Sequence, residues 1–329
     1  MYYTDNKYDS TSVEEFAKTI INKLVTQFVN TDVFDDIFTI FDRKIIDGAG
    51  YQAEELEVGN ITPTDFDPTG ANALKKADNK ITALYHKINR DKIFKATTSF
   101  KQLRTAMLSK ENTASLVNAI LSELSNSSAI ADYEAMKQLL TDILTTKKIV
   151  VADLNGNGED MNNLTKTIQI LADNMELPST KYNYLGFKKE FNKKEELVLI
   201  TDTSHKARLN VDVLANAFHM DKKHLVGNII ALDELPKFEL TSEDCAKQIE
   251  LNIGTAQPVI VAKPQRSGGT AVTGKIIGIL LNKKAIIRDK VTRDVDTDKN
   301  GEGRFMNHTL NAVDVLSYSP LKNAIVLVD

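Results

Sequence analysis

The sharpest chemical signature in this sequence is the octapeptide Gly269-Thr-Ala-Val-Thr-Gly274-Lys275-Ile276. Its first seven positions fit a phosphate-binding loop, in which backbone amides cradle phosphates and the lysine neutralises them. A strand-like run, Val259–Ala262, stands shortly before it. A working loop needs Ser or Thr after the lysine, to hold magnesium, and a helix whose N-terminus faces the phosphates. Here Ile276 comes next, and the run IIGILL reads as a strand. A β-hairpin loop is the plainer expectation, and a nucleotide-binding enzyme with a degenerate P-loop at Gly269–Lys275 is the alternative to test.

Two further stretches have the chemistry of calcium loops. Asp153–Gly158 and Asp296–Gly301 both match D-x-[DN]-x-[DN]-G, but the twelfth position, which should carry a bidentate acid, is Leu164 in one and Asn307 in the other. Asp and Asn before Gly are also ordinary turn material, so a calcium-dependent binding module is a second alternative. The five histidines, His86, His205, His219, His224 and His308, lack metal-ligand spacing. The single cysteine, Cys245, sits beside Glu243 and Asp244, which disfavour a thiolate, and it has no partner for an internal disulfide. No serine lies in a nucleophile elbow. The sequence proposes no catalytic, cofactor-binding or metal-ligating set.

The elements that would position any site are clearer. Ser12 with Glu15 makes a capping box, followed by Phe16, Ile20, Leu24 and Phe28 at helical spacing. Tyr51–Val58 and Ile81–Ile88 read as two extended segments around a polar tip containing Pro63, Pro68 and Gly70. They form a hairpin with too few large apolar residues to be its own core, so it is expected to pack on a partner. From Ser99 the pattern turns helical. One helix carries Leu116, Val117, Ile120, Leu121 and Leu124 and ends near Ser125–Ser128; a longer one carries Tyr133, Met136, Leu140, Ile143 and Leu144. Ile149–Ala152 is a strand, and a helix with Leu164, Ile168, Leu171 and Met175 on one face stops before Pro178.

Between Lys181 and Leu235 the sequence reads strand (Leu197–Ile200), helix (with Val213, Leu214, Ala217 and Phe218 on its apolar face), strand (Val226–Leu232). The rest is β-rich: Gln248–Ile253, Val259–Ala262, Ile276–Leu281, Ala285–Arg288, Leu316–Ser319 and Ala324–Val328. The fold class is α+β. At 329 residues the chain slightly exceeds the size at which one core stops growing, so two lobes are expected. Its 42% apolar and 26% charged residues are globular values, and a net charge of −4, well mixed, gives no basic stripe for wrapping nucleic acid. Apolar runs fall far short of the ~20 residues that span a bilayer, and Met1–Ser10 lacks a signal-peptide layout. A soluble protein made in a reducing compartment is expected.

Within 181–235, the pattern YNYLGF, a strand ending Thr201-Asp202, then LNVDVLANAFHMDKKHLVGNIIALDEL resembles the axial-domain core of tailed-bacteriophage major capsid proteins of the Hong Kong-97 type. Met306-Asn-His-Thr-Leu310 and Tyr318-Ser-Pro-Leu-Lys-Asn-Ala324 resemble the closing segment of such coats. The resemblance implies an N-terminal arm at 1–43, an extension-loop β-hairpin at 44–96, a peripheral domain with a long spine helix at 97–152 plus 290–329, and an α/β axial domain at 153–289. It also implies a non-enzymatic protein that self-assembles as pentamers and hexamers into an icosahedral shell around a double-stranded DNA genome. Implied partners are a separate scaffolding protein, a portal and a decoration protein; no membrane is involved, and the location is the virion, assembled in the host cytoplasm. The cross-linking lysine and asparagine of the namesake coat have no match in this sequence.

Overall fold

The computed structural model describes residues 34–43, 52–66, 68–70, 76, 79–99, 110–154, 158–216, 228–235, 238–240, 247–251, 260–262 and 272–329. The first expected helix, with Ser12 and Phe16, lies outside the described residues, as do Ala217, Phe218, His219, His224 and Cys245.

In chain order, a 3-10 turn at Ile37–Phe41 leads into β1 (Asp42–Arg43), β2 (Gln52–Val58), β3 (Ile81–Lys87) and β4 (Arg90–Ser99). The helix α1 (Lys110–Thr146) precedes β5 (Val150–Asp153), α2 (Met161–Met175), β6 (Leu197–Asp202), α3 (Thr203–Asn216) and β7 (Asn228–Leu232). Then come β8 (Phe238–Leu240), β9 (Lys247–Leu251), β10 (Ile260–Ala262), β11 (Val272–Gly274), β12 (Ile276–Asn282), β13 (Ile286–Asn300), β14 (Phe305–Tyr318) and β15 (Ala324–Val328). The chain divides into two units: Met1–Ile37, Ile88–Ala135 and Asp289–Val315 form one, and Phe38–Lys87, Met136–Arg288 and Leu316–Asp329 the other.

The expected break at Ser125–Ser128 does not occur: α1 is one helix of 37 residues. Leu121, Leu124, Ser128, Asp132, Met136, Leu140 and Ile143 are all buried, three or four apart, so the inward stripe runs straight through the serines. Serine is only a weak helix former, and with no Gly or Pro in the segment nothing overrides that stripe. The helix stops at Lys147, which adopts a left-handed φ of 56°. Ser127→Pro is expected to cost about 3 kcal/mol, because it removes an interior hydrogen bond and clashes with the preceding turn. Thermal unfolding measures this directly. A cost below about 1 kcal/mol would mean that two helices meet there.

In the first unit β4, β14 and β13 are neighbours, with β4 and β14 antiparallel from Phe305↔Ser99 to Asp314↔Arg90. Ser99, read as a helix start, is thus the end of a strand. The run Asp296–Gly301, read as a turn, is strand up to Asn300. Exposure alternates along both strands, with Met306, Leu310 and Ala312 of β14 inward. Against α1 the Phe34 ring meets Tyr133 edge-on at 5.8 Å. Four charged side chains close a ring beside it. Arg90 pairs with Asp132 and with Asp314 (2.6 Å), and Arg293 pairs with Asp314 (2.6 Å) and Asp132 (3.1 Å).

The second unit is built on a seven-stranded sheet of order β10-β9-β5-β15-β12-β6-β7. β5 runs parallel to β15 and β9, β6 parallel to β7, and β12 antiparallel to both β15 and β6. Its central strands, VVAD, AIVLV, IIGILLN and LVLITD, are buried almost throughout, as expected for strands covered on both faces. Val150 to Ala152 and Ala324–Val328, assigned from the sequence to a peripheral domain, pair with strands of the segment assigned to the axial one.

α2 packs on this sheet through Met161, Leu164, Ile168, Leu171 and Met175. The Asp160 carboxylate caps it, accepting from the Asn162 and Asn163 amides at 3.0 and 3.3 Å. Just before the cap, the Gly158 amide donates to Asp329 Oδ1 at 2.8 Å. A Cβ on Gly158 would stand 2.8 Å from the Asp329 side chain, so only glycine fits. The remaining pieces are two-stranded: β8 with β11, and β2 with β3.

Candidate functional site

Among the described residues, those with chemical promise are largely engaged within the fold. The Gly269–Lys275 signature ends in β11, and β12 follows where a P-loop requires a helix. Residues 269–271 lie outside the described residues. Lys275 exchanges backbone hydrogen bonds with Asp329 (3.1 and 3.0 Å), and its ammonium lies 3.4 Å from Glu159. A strand follows the lysine where a P-loop requires a helix, and the ammonium is engaged by a carboxylate, so the described residues lend the nucleotide reading no support.

The Asp296–Gly301 signature is extended rather than wrapped. The Asp296 carboxylate accepts from Asn311 Nδ2 (3.2 Å), and Asn300 Oδ1 accepts from the Gly303 amide (2.7 Å), so both oxygens serve the β13–β14 hairpin. Asp153 ends β5, and positions 155–157 of that signature are outside the described residues. Among the described residues no group of three or more His, Cys, Asp or Glu side chains could hold a metal, and no helix is long and apolar enough to cross a membrane.

The described histidines go to three separate places. His205 Nδ1 lies 2.6 Å from Asp202, which also caps α3 through the His205 amide. His308 faces Thr297 at 3.1 Å, and burial pushes its imidazole below the usual range. His86 sits under the β2–β3 hairpin.

That hairpin is the unusual surface of the second unit. β2 and β3 pair in strict antiparallel register from Gln52↔Lys87 to Val58↔Ile81, extended one step by the Gly59 amide donating to Lys80 O at 2.7 Å. Side chains on a strand alternate between faces, so Leu56, Val58, Ile81, Ala83 and Tyr85 share one face, and Glu55, Glu57 and His86 the other. An antiparallel sheet with one wet face normally turns its apolar side inward. Here the order is reversed. Leu56, Val58, Ile81 and Tyr85 are 59%, 46%, 61% and 59% exposed, while Glu57 and His86 are buried. Beyond the strands, Ile61 and Phe66 are still more exposed.

The inward face meets an ion cluster. Lys322, from the turn between β14 and β15, pairs with Glu57 and lies 3.5 Å from Glu55 and 3.4 Å from Glu190. Lys188 also pairs with Glu57 and lies 3.3 Å from Glu190. His86 Nε2 is 3.5 Å from Glu55, and His86 Nδ1 is 2.8 Å from the Ser317 hydroxyl. Burial pushes the Glu57 carboxyl up, but hydrogen bonds from Lys188 and Lys322 outweigh it and hold the group below the usual carboxylate range. Glu55 is likewise held low, burial being outweighed by His86, Ser319 and Lys322. Burial lowers Lys322, and its bond to Glu57 with the surrounding carboxylates raises it again, above the usual ammonium range. The Asn60 side chain ties the hairpin to the same loop, accepting from the Lys189 amide at 2.6 Å.

Sequence reasoning anticipated the two strands of the hairpin. It missed the cluster, and the one available signal was a strand with three glutamates in four residues, Glu54, Glu55 and Glu57.

Contiguous exposed apolar side chains of this kind mark a surface for contact. The fold is shared with a chain from the capsid structure of Staphylococcus phage Andhra (TM-score 0.67, 14% identity, covering 100% of this chain and 88% of that one). It is also shared with a chain from the capsid structure of cyanophage P-SCSP1u (TM-score 0.54, 13% identity, covering 91% and 89%).

Residues 4–328 match the family described as Phi29-like phage major capsid protein, and the chain belongs to that family. Relatives include the major capsid protein of Bacillus phage B103, 24% identical over 299 residues, and that of Bacillus phage GA-1, 22% identical over 331. Those alignments cover 89% and 98% of this chain but 55% and 62% of the relatives, so the chain spans rather more than half their length.

Proposed function

We propose that this chain is the structural subunit of a phage head, acting by self-association and not as an enzyme. Copies gather as pentamers and hexamers into an icosahedral shell enclosing double-stranded DNA, in the Hong Kong-97 manner. Residues 1–43 serve as the arm, 44–96 as the extension loop around β2–β3, and α1 as the spine of a peripheral domain with β13 and β14. The segment 153–289 forms the axial domain, which in this proposal also takes β5 and β15, its partners in the seven-stranded sheet. A separate scaffolding protein, a portal and a decoration protein are its partners, and assembly takes place in the host cytoplasm. Mixed charge suits a wall along which packaged DNA slides, since tight phosphate binding needs clustered cations.

The observation that carries this reading is the outward apolar face of the hairpin. An isolated two-stranded sheet is marginal in water, and contiguous exposed apolar residues mark interaction surfaces. Shells built from one chain need contacts that adapt between five-fold and six-fold rings, and a two-stranded arm supplies them. Negative-stain microscopy of the purified chain, alone and co-expressed with its scaffolding protein, is expected to show closed shells. Persistent monomers in both preparations would overturn the reading.

A further inference from the structure

We infer that the ion cluster beneath the β2–β3 hairpin is an orienting clasp, with Lys322 as its positioning residue, that turns the hairpin's apolar face outward toward a second copy of this chain. The destination of that face rests on the function proposed above; the clasp itself is a property of the single subunit.

The two sides of the clasp are differently built. The anions Glu55 and Glu57 ride on the hairpin, whereas the cations stand on fixed supports. Lys322 is followed by Asn323, fully buried, whose Nδ2 donates to Asn192 Oδ1 at 2.6 Å, and the Ala324 amide donates to Tyr182 O at 3.0 Å. Ser319, at the other end of the same turn, is fully buried, and its amide donates to Ala285 O at 2.8 Å. Lys188 is steadied by Asn183, whose Nδ2 donates to the Lys188 carbonyl at 3.2 Å. Glu190 is shared between both lysines and is itself pinned, its backbone exchanging hydrogen bonds with Ser179 at 2.9 and 3.0 Å. The hairpin therefore settles wherever its two carboxylates find these cations.

Charge suits this task better than apolar contact. A buried ion pair adds little net stability over a hydrophobic replacement, but removing one partner leaves an uncompensated charge, so such pairs act as devices of register. A hairpin apolar on both faces could lie on its subunit either way up. With Glu55 and Glu57 on the inward face and Glu54 alone on the outward one, turning the hairpin over would leave the lysines one carboxylate in place of two and hide the face the assembly needs. The carboxyls are held below their usual range and the lysines above theirs, so the clasp keeps its charges through the whole neutral range.

The test is hydrogen exchange by mass spectrometry on the full chain, reading peptides of β2 and β3 against β12 and β15 as an internal reference. Lys322→Met is expected to speed hairpin exchange at least tenfold while the reference strands stay unchanged. Lys322→Arg, which keeps the positive charge facing Glu55, Glu57 and Glu190, should keep hairpin exchange near the wild-type rate. Glu57→Gln, a milder change should Lys322→Met misfold, is expected to loosen the hairpin about threefold. Unchanged hairpin exchange in Lys322→Met and Glu57→Gln, or equal loosening of hairpin and reference strands, would overturn the clasp. Microscopy of the same samples separates the two readings. Normal shells from Lys322→Met would remove the clasp's role in presenting the hairpin while leaving the shell function standing. Absence of shells from the wild-type chain would remove the shell function, and the exchange result would still decide the clasp.

Discussion

A chain carrying Leu56→Asp and Ile81→Asp is expected to keep its melting temperature within a degree or two and to form no shells. Both side chains point away from their own subunit, at 59% and 61% exposure, so neither loses packing when shortened and charged. Surface changes of this kind usually stay within about 0.5 kcal/mol. In an assembled wall the same two positions would be covered, and a carboxylate taken out of water without a partner costs several kcal/mol. Glu54 already stands on this face, so the new charges would also repel one of its residues. Because every subunit brings the same face, the penalty recurs at every contact. Differential scanning fluorimetry read beside sedimentation velocity separates folding from assembly. Normal shells from the doubly substituted chain would show that the apolar face is not an interface.

The second large effect lies in the first unit. Asp132→Ala is expected to lower stability by about 3–5 kcal/mol, the usual cost of leaving a buried charge unpaired. The aspartate accepts from both Arg90 and Arg293, and its side chain is only 7% exposed; without it two guanidinium groups share the single carboxylate of Asp314. Removing Arg90 as well restores a one-to-one balance, so Asp132→Ala with Arg90→Ala should cost about 1 kcal/mol or more less than the sum of the two single changes. Strict additivity in urea denaturation would mean that the ring is not coupled.

The pH dependence has a definite sign. Burial pushes the Asp132 carboxyl up, but the Arg90 hydrogen bond and the charges of Arg293 and Arg90 hold it below its unfolded value of about 3.9. Its stabilisation is therefore complete above that value and is lost as pH falls through the lower folded one. Wild-type stability should drop more steeply than that of Asp132→Asn when the pH is taken below about 4.

What could be read from the sequence follows the reach of its signals. The face of α2 and the strands β6, β12 and β15 are legible because burial there is decided within a few residues, by a 3.6-residue stripe or an unbroken apolar run. β13 is not, since RDKVTRDVDTDKN has little apolar content and its Asp-x-Asp-x-Asn spacing imitates a turn or a calcium loop. Its strand character comes from alternation of exposed and half-covered positions against β14. The continuity of α1 was hidden by four serines between Ser122 and Ser128. The two ion clusters were out of reach for another reason. Arg90 and Asp314 are 224 positions apart, and Lys322 and Glu57 are 265 apart, so topology alone introduces them. The hairpin is the instructive intermediate. Its strands and turn signals were plain, but a rule that sends Leu and Val inward and Glu outward would have installed it upside down.

The place of β15 has a consequence for how a subunit is made. It lies between β5 and β12, yet the ribosome delivers it after every other strand of the sheet. Without it the strand order falls into two groups, β10-β9-β5 and β12-β6-β7, each with an open edge where β15 belongs. A chain lacking β15 would leave both of those edges bare, and unpaired strand edges invite aggregation, so β15 is the strand that joins the two halves of the sheet into one.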